Sequence, residues 1–136
     1  MAVIVKRPVI IKNVVTPTFK LQLTAELESA IRQIEVWLEQ EEFQSRRMIA
    51  EAQKRGDVRR ANQLREEVKR EREKQEQVRS NLRQKLEQVK HLDLDSLFIS
   101  GTYDSPVKIE VGDNIRAKLS PAEIIIKDGI VVQIIE

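Results

Sequence analysis

Cysteine is absent from the 136 residues, and histidine, tryptophan and tyrosine occur once each. Without a thiol the chain has no disulfide, no thiolate metal site and no cysteine nucleophile, which fits a reducing compartment and points to the cytoplasm. The phosphate-cradling G-x-x-x-x-G-K-[ST], the dinucleotide G-x-G-x-x-G, the nucleophile elbow G-x-S-x-G and the zinc motif H-E-x-x-H are all missing. No catalytic constellation remains, so the expectation is a non-enzymatic protein with no cofactor, no metal and no small-molecule substrate. His91 stands near Asp93 and Asp95, an array that reads as the polar exit of a helix rather than as a ligand set. Residues 1–11 are broken by Lys6, Arg7 and Pro8, and read as neither a secretory signal nor a membrane span.

Glycine is nearly as scarce, with four in the chain, and Gly56 is the only one before position 101. It interrupts a long stretch of helical periodicity. Before it, apolar residues fall at Leu23, Leu27, Ile31, Ile34, Leu38, Met48 and Ala52; after it, at Ala61, Leu64, Val68, Val78, Leu82, Leu86 and Val89. These spacings of mostly three and four mark one face of each helix. If two antiparallel helices share a seam, facing positions add to a constant. Leu23 with Val89, Ile34 with Val78 and Met48 with Leu64 add to 112; Leu27 with Leu86, Ile31 with Leu82 and Ala52 with Ala61 add to 113. Either constant puts the reversal at Gly56 and Asp57, a left-handed C-terminal glycine followed by a preferred N-cap. Each arm then spans about 50 Å. Its middle is the weak part, where Leu38 faces Gln75 and Glu41 faces Glu71.

Outside the helices the pattern is that of strands. Residues 3–15 are rich in Val and Ile, with Pro8 arguing for an edge or bulged strand. After Leu92, a strand is expected over 97–103 with Gly101 as a bulge, then a turn at Asp104, Ser105 and Pro106. An alternating strand follows over 107–111 and a short one over 115–119. Residues 124–127 and 130–135 flank Asp128-Gly129, the strongest local hairpin signal available. The fold class expected is α+β: a long antiparallel coiled-coil helical hairpin inserted between an N-terminal strand and a small C-terminal antiparallel β sheet or partly open barrel. Its parts are an N-terminal strand over 1–16, the hairpin over 17–92 with its turn at 55–58, and a β meander over 93–136. The β part has fewer than about 65 residues, a marginal core that favours self-association.

Charge is close to balanced overall, at +2, but it is unevenly spread. Residues 20–53 carry four basic and seven acidic side chains, and residues 54–92 carry thirteen and seven. Around the turn, Arg46, Arg47, Lys54, Arg55, Arg59 and Arg60 outnumber Glu51 and Asp57. This cluster is a candidate site for nucleic-acid phosphate or another acidic partner, although no aromatic accompanies it to stack a base. A second candidate is the stripe Val36, Phe43 and Ala50, spaced by seven on the side away from the seam, with Trp37 beside it. An apolar line on an outward face reads as an oligomer or partner contact.

The short strand ending in Val14-Val15-Thr16, the charged hairpin, and Val111-Gly112-Asp113 followed by Ile124-Ile125-Ile126-Lys127-Asp128-Gly129-Ile130-Val131-Val132 together resemble the YlqD family of small bacterial proteins. The resemblance implies a bacterial cytoplasmic protein and supplies no activity or functional residue. In some bacteria the family's gene lies near ribosome-maturation genes, which implies RNA. Residues 52–68, with Gly56-Asp57, Ala61 and Leu64-Arg65-Glu66, look like the helical hairpin of the UVR motif, and the strand-and-coil plan is similar to prefoldin. The function expected is an interaction or scaffold protein that self-associates and presents a basic-tipped arm. The alternatives are an RNA- or ribosome-associated factor binding phosphate through the tip, and a prefoldin-like chaperone.

Overall fold

A computed structural model describes residues 1–136. The chain is α+β and forms two compact units, one of residues 1–21 and 92–136 and one of residues 22–91. In order, its elements are β1 (Ala2–Val14), α1 (Pro17–Lys54), α2 (Val58–Lys90), β2 (Leu97–Glu110), α3 (Ile115–Leu119), β3 (Ala122–Lys127) and β4 (Ile130–Ile135).

The ends of the long helices follow from their capping residues. Before Pro17, the Thr16 hydroxyl accepts from Phe19 N at 3.0 Å, and proline at the first helical position gives up a donor that has no helical partner there. At the other end of α1, Gly56 has φ +72°. The Asp57 N–H donates to Ala52 O and the Gly56 N–H to Gln53 O, both at 3.0 Å, the paired bonds of a Schellman ending. Asp57 then caps α2 by accepting from Arg60 N at 2.9 Å. The two helices therefore reverse within three residues, and side chains meet across them: Ala52, Ala61 and Leu64 form a buried cluster with Ile49 against it, Glu35 pairs with Arg83 at 3.0 Å, and Glu42 approaches Arg72 at 4.0 Å.

The strands form one open mixed sheet in the order β2-β1-β3-β4. β1 is therefore central, where an edge or bulged strand was expected. Pro8 is tolerated because β3 pairs with β1 only from Val9 onward, so at Pro8 β1 has a single neighbour. The sheet is not wholly antiparallel as expected, since β1 and β3 run parallel, and β2 joins the other C-terminal strands only through β1. The cause is the crossover: β2 runs back along β1, and the segment containing α3 then carries the chain to the far side of β1. α3 itself replaces the strand expected over 115–119. Asn114 caps it by accepting from Ala117 N at 3.1 Å, and Arg, Ala, Lys and Leu all favour helix over strand. Nor is there a turn at 104–106. β2 continues through those residues, pairing Asp104 with Pro8 and Pro106 with Lys6, because an edge strand accommodates a missing donor on its open side. The bulge near Gly101 is present: Ile11 opposes Gly101 and Lys12 opposes Ile99, leaving Ser100 extra, and Asn13 Nδ2 hydrogen-bonds the Ser100 hydroxyl. With β2 and β4 both at edges, the sheet is not closed into a barrel.

The buried residues of this unit are few: Val15, Thr16, Ala122 and Ile125. Val15 is held on both sides, its N–H donating to Ser96 O and its carbonyl accepting from Asp95 N, each at 2.8 Å. The rings of Phe19 and Phe98 pack with centroids 5.5 Å apart. Thr16 Oγ1 also donates to Asp128 Oδ1 at 2.6 Å, which ties the helix start to the β3–β4 turn. That turn has φ +48° at Asp128 and +83° at Gly129, the two left-handed positions of a type I′ hairpin.

Candidate interaction surfaces

The tip cations occupy several sides of the helix pair. Arg55 and Arg60 line one hollow together with Met48, Asp57 and Leu64. Lys54 and Arg47 fall on another side of α1, because helical residues are placed about 100° apart. Arg46 is ion-paired to Glu42 at 2.7 Å, so it is compensated locally. The side chains of Arg47, Lys54, Arg55, Arg59 and Arg60 are exposed and take part in no ion pair within the chain. What the turn carries is thus five cations outside any ion pair, with Glu51 and Asp57 in the same hollow as Arg55 and Arg60, and the sequence cluster loses Arg46 to its own helix.

The apolar stripe on α1 is exposed as well. Val36 is 52% and Phe43 70% accessible, and Ala50 is also exposed. Trp37 belongs elsewhere. It is half-buried and lines a shallow groove between the helices with Ala30, Ile34, Gln75, Val78 and Leu82, since one residue of helix turns a side chain through a quarter of the circumference. The weak middle of the seam is an open hollow of about 450 Å³ bordered by Glu41, Ser45, Met48, Leu64, Val68 and Glu71. Ser45 is buried there, its hydroxyl donating to Glu42 O at 3.1 Å, where sequence periodicity had left a gap.

A surface that periodicity did not single out lies on the sheet. Every residue of β4 is exposed, with Ile130, Val131, Val132, Ile134 and Ile135 between 40% and 68% accessible. A run rich in Ile and Val, broken only by Gln133, reads in sequence as a strand buried on both faces; the topology instead puts it at an edge. At the end of α2, His91 Nε2 lies 3.3 Å from Glu87 Oε1, and no group of three acidic or histidine side chains is placed to hold a metal ion. No helix is long and apolar enough to cross a membrane.

These features define a class: an α+β protein with two long helices and an open four-stranded mixed sheet. The chain belongs to the YlqD family, whose model matches residues 3–135. It is similar over its full length to a crystal structure of a protein of unknown function from Synechococcus sp. WH 8102, with 26% identity, 96% of that chain covered and a TM-score of 0.89. Among curated proteins none matches.

Proposed function

We propose that the protein is a non-enzymatic interaction protein of the bacterial cytoplasm that self-associates and uses its helix pair as an antiparallel coiled-coil arm. The observation that carries the proposal is the quantity of apolar surface left uncovered in one chain, on β4 and along Val36 and Phe43. Contiguous apolar patches of this kind mark contact sites on soluble proteins. The coiled-coil description is supported by the buried residues Ile31, Leu38, Ser45 and Ala52, which recur every seven positions, and by the Glu35–Arg83 pair beside them. Sedimentation velocity across a concentration series tests self-association: the mass should rise above the 15.8 kDa of one chain. A single-chain mass at every concentration would reject it. Phe43→Ser should lower the association if the α1 stripe takes part, and an unchanged mass removes that stripe from the interface.

A second reading, an RNA- or ribosome-associated factor, is favoured by the five cations near the turn that form no ion pair within the chain. Phosphate contacts release counterions, so binding of this kind falls steeply with salt. Alanine at Arg55, Arg59 and Arg60 together should abolish co-sedimentation with ribosomes, and co-sedimentation of the unsubstituted chain should fall steeply as salt rises. Co-sedimentation that survives the triple substitution would discard this role for the tip.

A further inference from the structure

The two edges of the sheet are protected very differently. β2 presents Asp104, Lys108 and Glu110 together with Pro106 and the bulge at Ser100, the usual devices against edge-to-edge pairing. β4 reads Ile-Val-Val-Gln-Ile-Ile, with no charge, proline or glycine. Its one irregularity is the bulge that leaves Val132 extra opposite Ile125 and Ile126. Both ends of this strand are fixed. Asp128 accepts from the buried Thr16 hydroxyl at 2.6 Å, and Glu136 pairs with Arg7 at 3.3 Å. An apolar, pinned strand with an open ladder is a template for another strand, and its rigidity lowers the entropy lost on pairing.

From this we infer that β4 pairs antiparallel with β4 of a second copy, joining two four-stranded sheets into one of eight strands; the inference rests on the self-association proposed above and assigns its surface. Charge selects this occupant and this direction. The strand itself is neutral, with Lys127 before it and Glu136 after it. Antiparallel pairing draws Lys127 of one copy toward the Glu136 end of the other, whereas parallel pairing would align like charges. Symmetry selects the register. An antiparallel ladder alternates close and wide pairs, so a two-fold axis normal to the sheet must pass through a residue that faces its own copy. Centring on Gln133 sets the one polar residue against itself, Val131 against Ile135 and Val132 against Ile134. Centring on Val132 would instead oppose Gln133 to Val131. Only five β4 residues of each copy, 131–135, face the other β4, a small interface, so the dimer is concentration-dependent.

Because the chain has no cysteine, single substitutions report the register directly. Opposed residues in such a ladder have Cα atoms about 4.5–5.5 Å apart, within disulfide reach. Gln133→Cys should give a disulfide-linked dimer under mild oxidation, and Ile130→Cys should not. Ile134→Lys should weaken association at least tenfold in sedimentation equilibrium with an unchanged circular dichroism spectrum. A wild-type chain that stays monomeric up to about 1 mM overturns both this inference and self-association. A wild-type dimer in which Gln133→Cys fails to cross-link overturns the β4 pairing alone and leaves self-association standing. If Ile134→Lys does not fold, the two cysteine variants decide the matter unaided.

Discussion

Thr16 shows how one side chain connects local and long-range structure. Its Oγ1 accepts from Phe19 N and donates to Asp128 Oδ1, 112 residues away, while only 6% of the residue is accessible. Valine has nearly the same shape and neither bond. Thr16→Val should therefore remove an N-cap and leave Asp128 unpaired beside a buried apolar group, destabilising the fold by about 2 kcal/mol. Thr16→Ser keeps the hydroxyl and should lose much less. Thermal melts of the two variants check this, and equal melting temperatures would contradict a role for the hydroxyl. The cap is legible in sequence, because Thr-Pro before a helical period is a start signal. The partner is not, since nothing in the local pattern around Thr16 names a turn more than a hundred residues downstream.

Among the elements, the helix pair was the most legible part and its interior the least. Gly56 and Asp57 fix the reversal because each residue type has a single cheap use there. Val68, Leu82 and Leu86 are half-buried, whereas Met48 and Val78, also expected in the seam, are 50% and 41% accessible. Ser45 took the seam position that hydrophobic periodicity could not assign, being polar and yet 7% accessible. It stands at the edge of the open hollow with Met48, Leu64 and Val68. Ser45→Leu should direct apolar atoms into that space and stabilise the helix pair by roughly 1 kcal/mol. The loss of helical circular dichroism at 222 nm would then move to higher temperature; a downward shift would mean that the seam is already full. For the strands, local signals gave the Asp128-Gly129 hairpin and the bulge beside Gly101, but they misread residues 115–119. Five residues of alternating type are too few to separate one helical turn from a strand.

At the scale of the molecule, the decisive fact is that the middle strand of the sheet comes from the extreme N-terminus. β1 lies between β2 and β3, yet 82 residues separate its end at Val14 from the start of β2 at Leu97. No sequence period reports such a pairing. The chain reversal at Gly56 returns residue 92 toward residue 16, and that return lets β1 and β2 pair. The parallel direction of β1 and β3 and the edge position of β4 depend on the path through α3, which no local pattern reports. A physical consequence follows for the isolated parts. Residues 22–91 hold most of both long helices and a seam of their own, so a peptide of that span should be helical and melt reversibly. Residues 92–136 contain β2, β3 and β4, but β2 and β3 have no bond to each other without β1 between them. That fragment should lack a dispersed amide NMR spectrum, and adding residues 1–21 as a separate peptide should restore one, because every ladder of β2 is to β1. A well-dispersed spectrum from 92–136 alone would show that the C-terminal strands order themselves. β1 would then be an addition to an existing sheet, and the coupling of Thr16 to Asp128 would stabilise only the helix start.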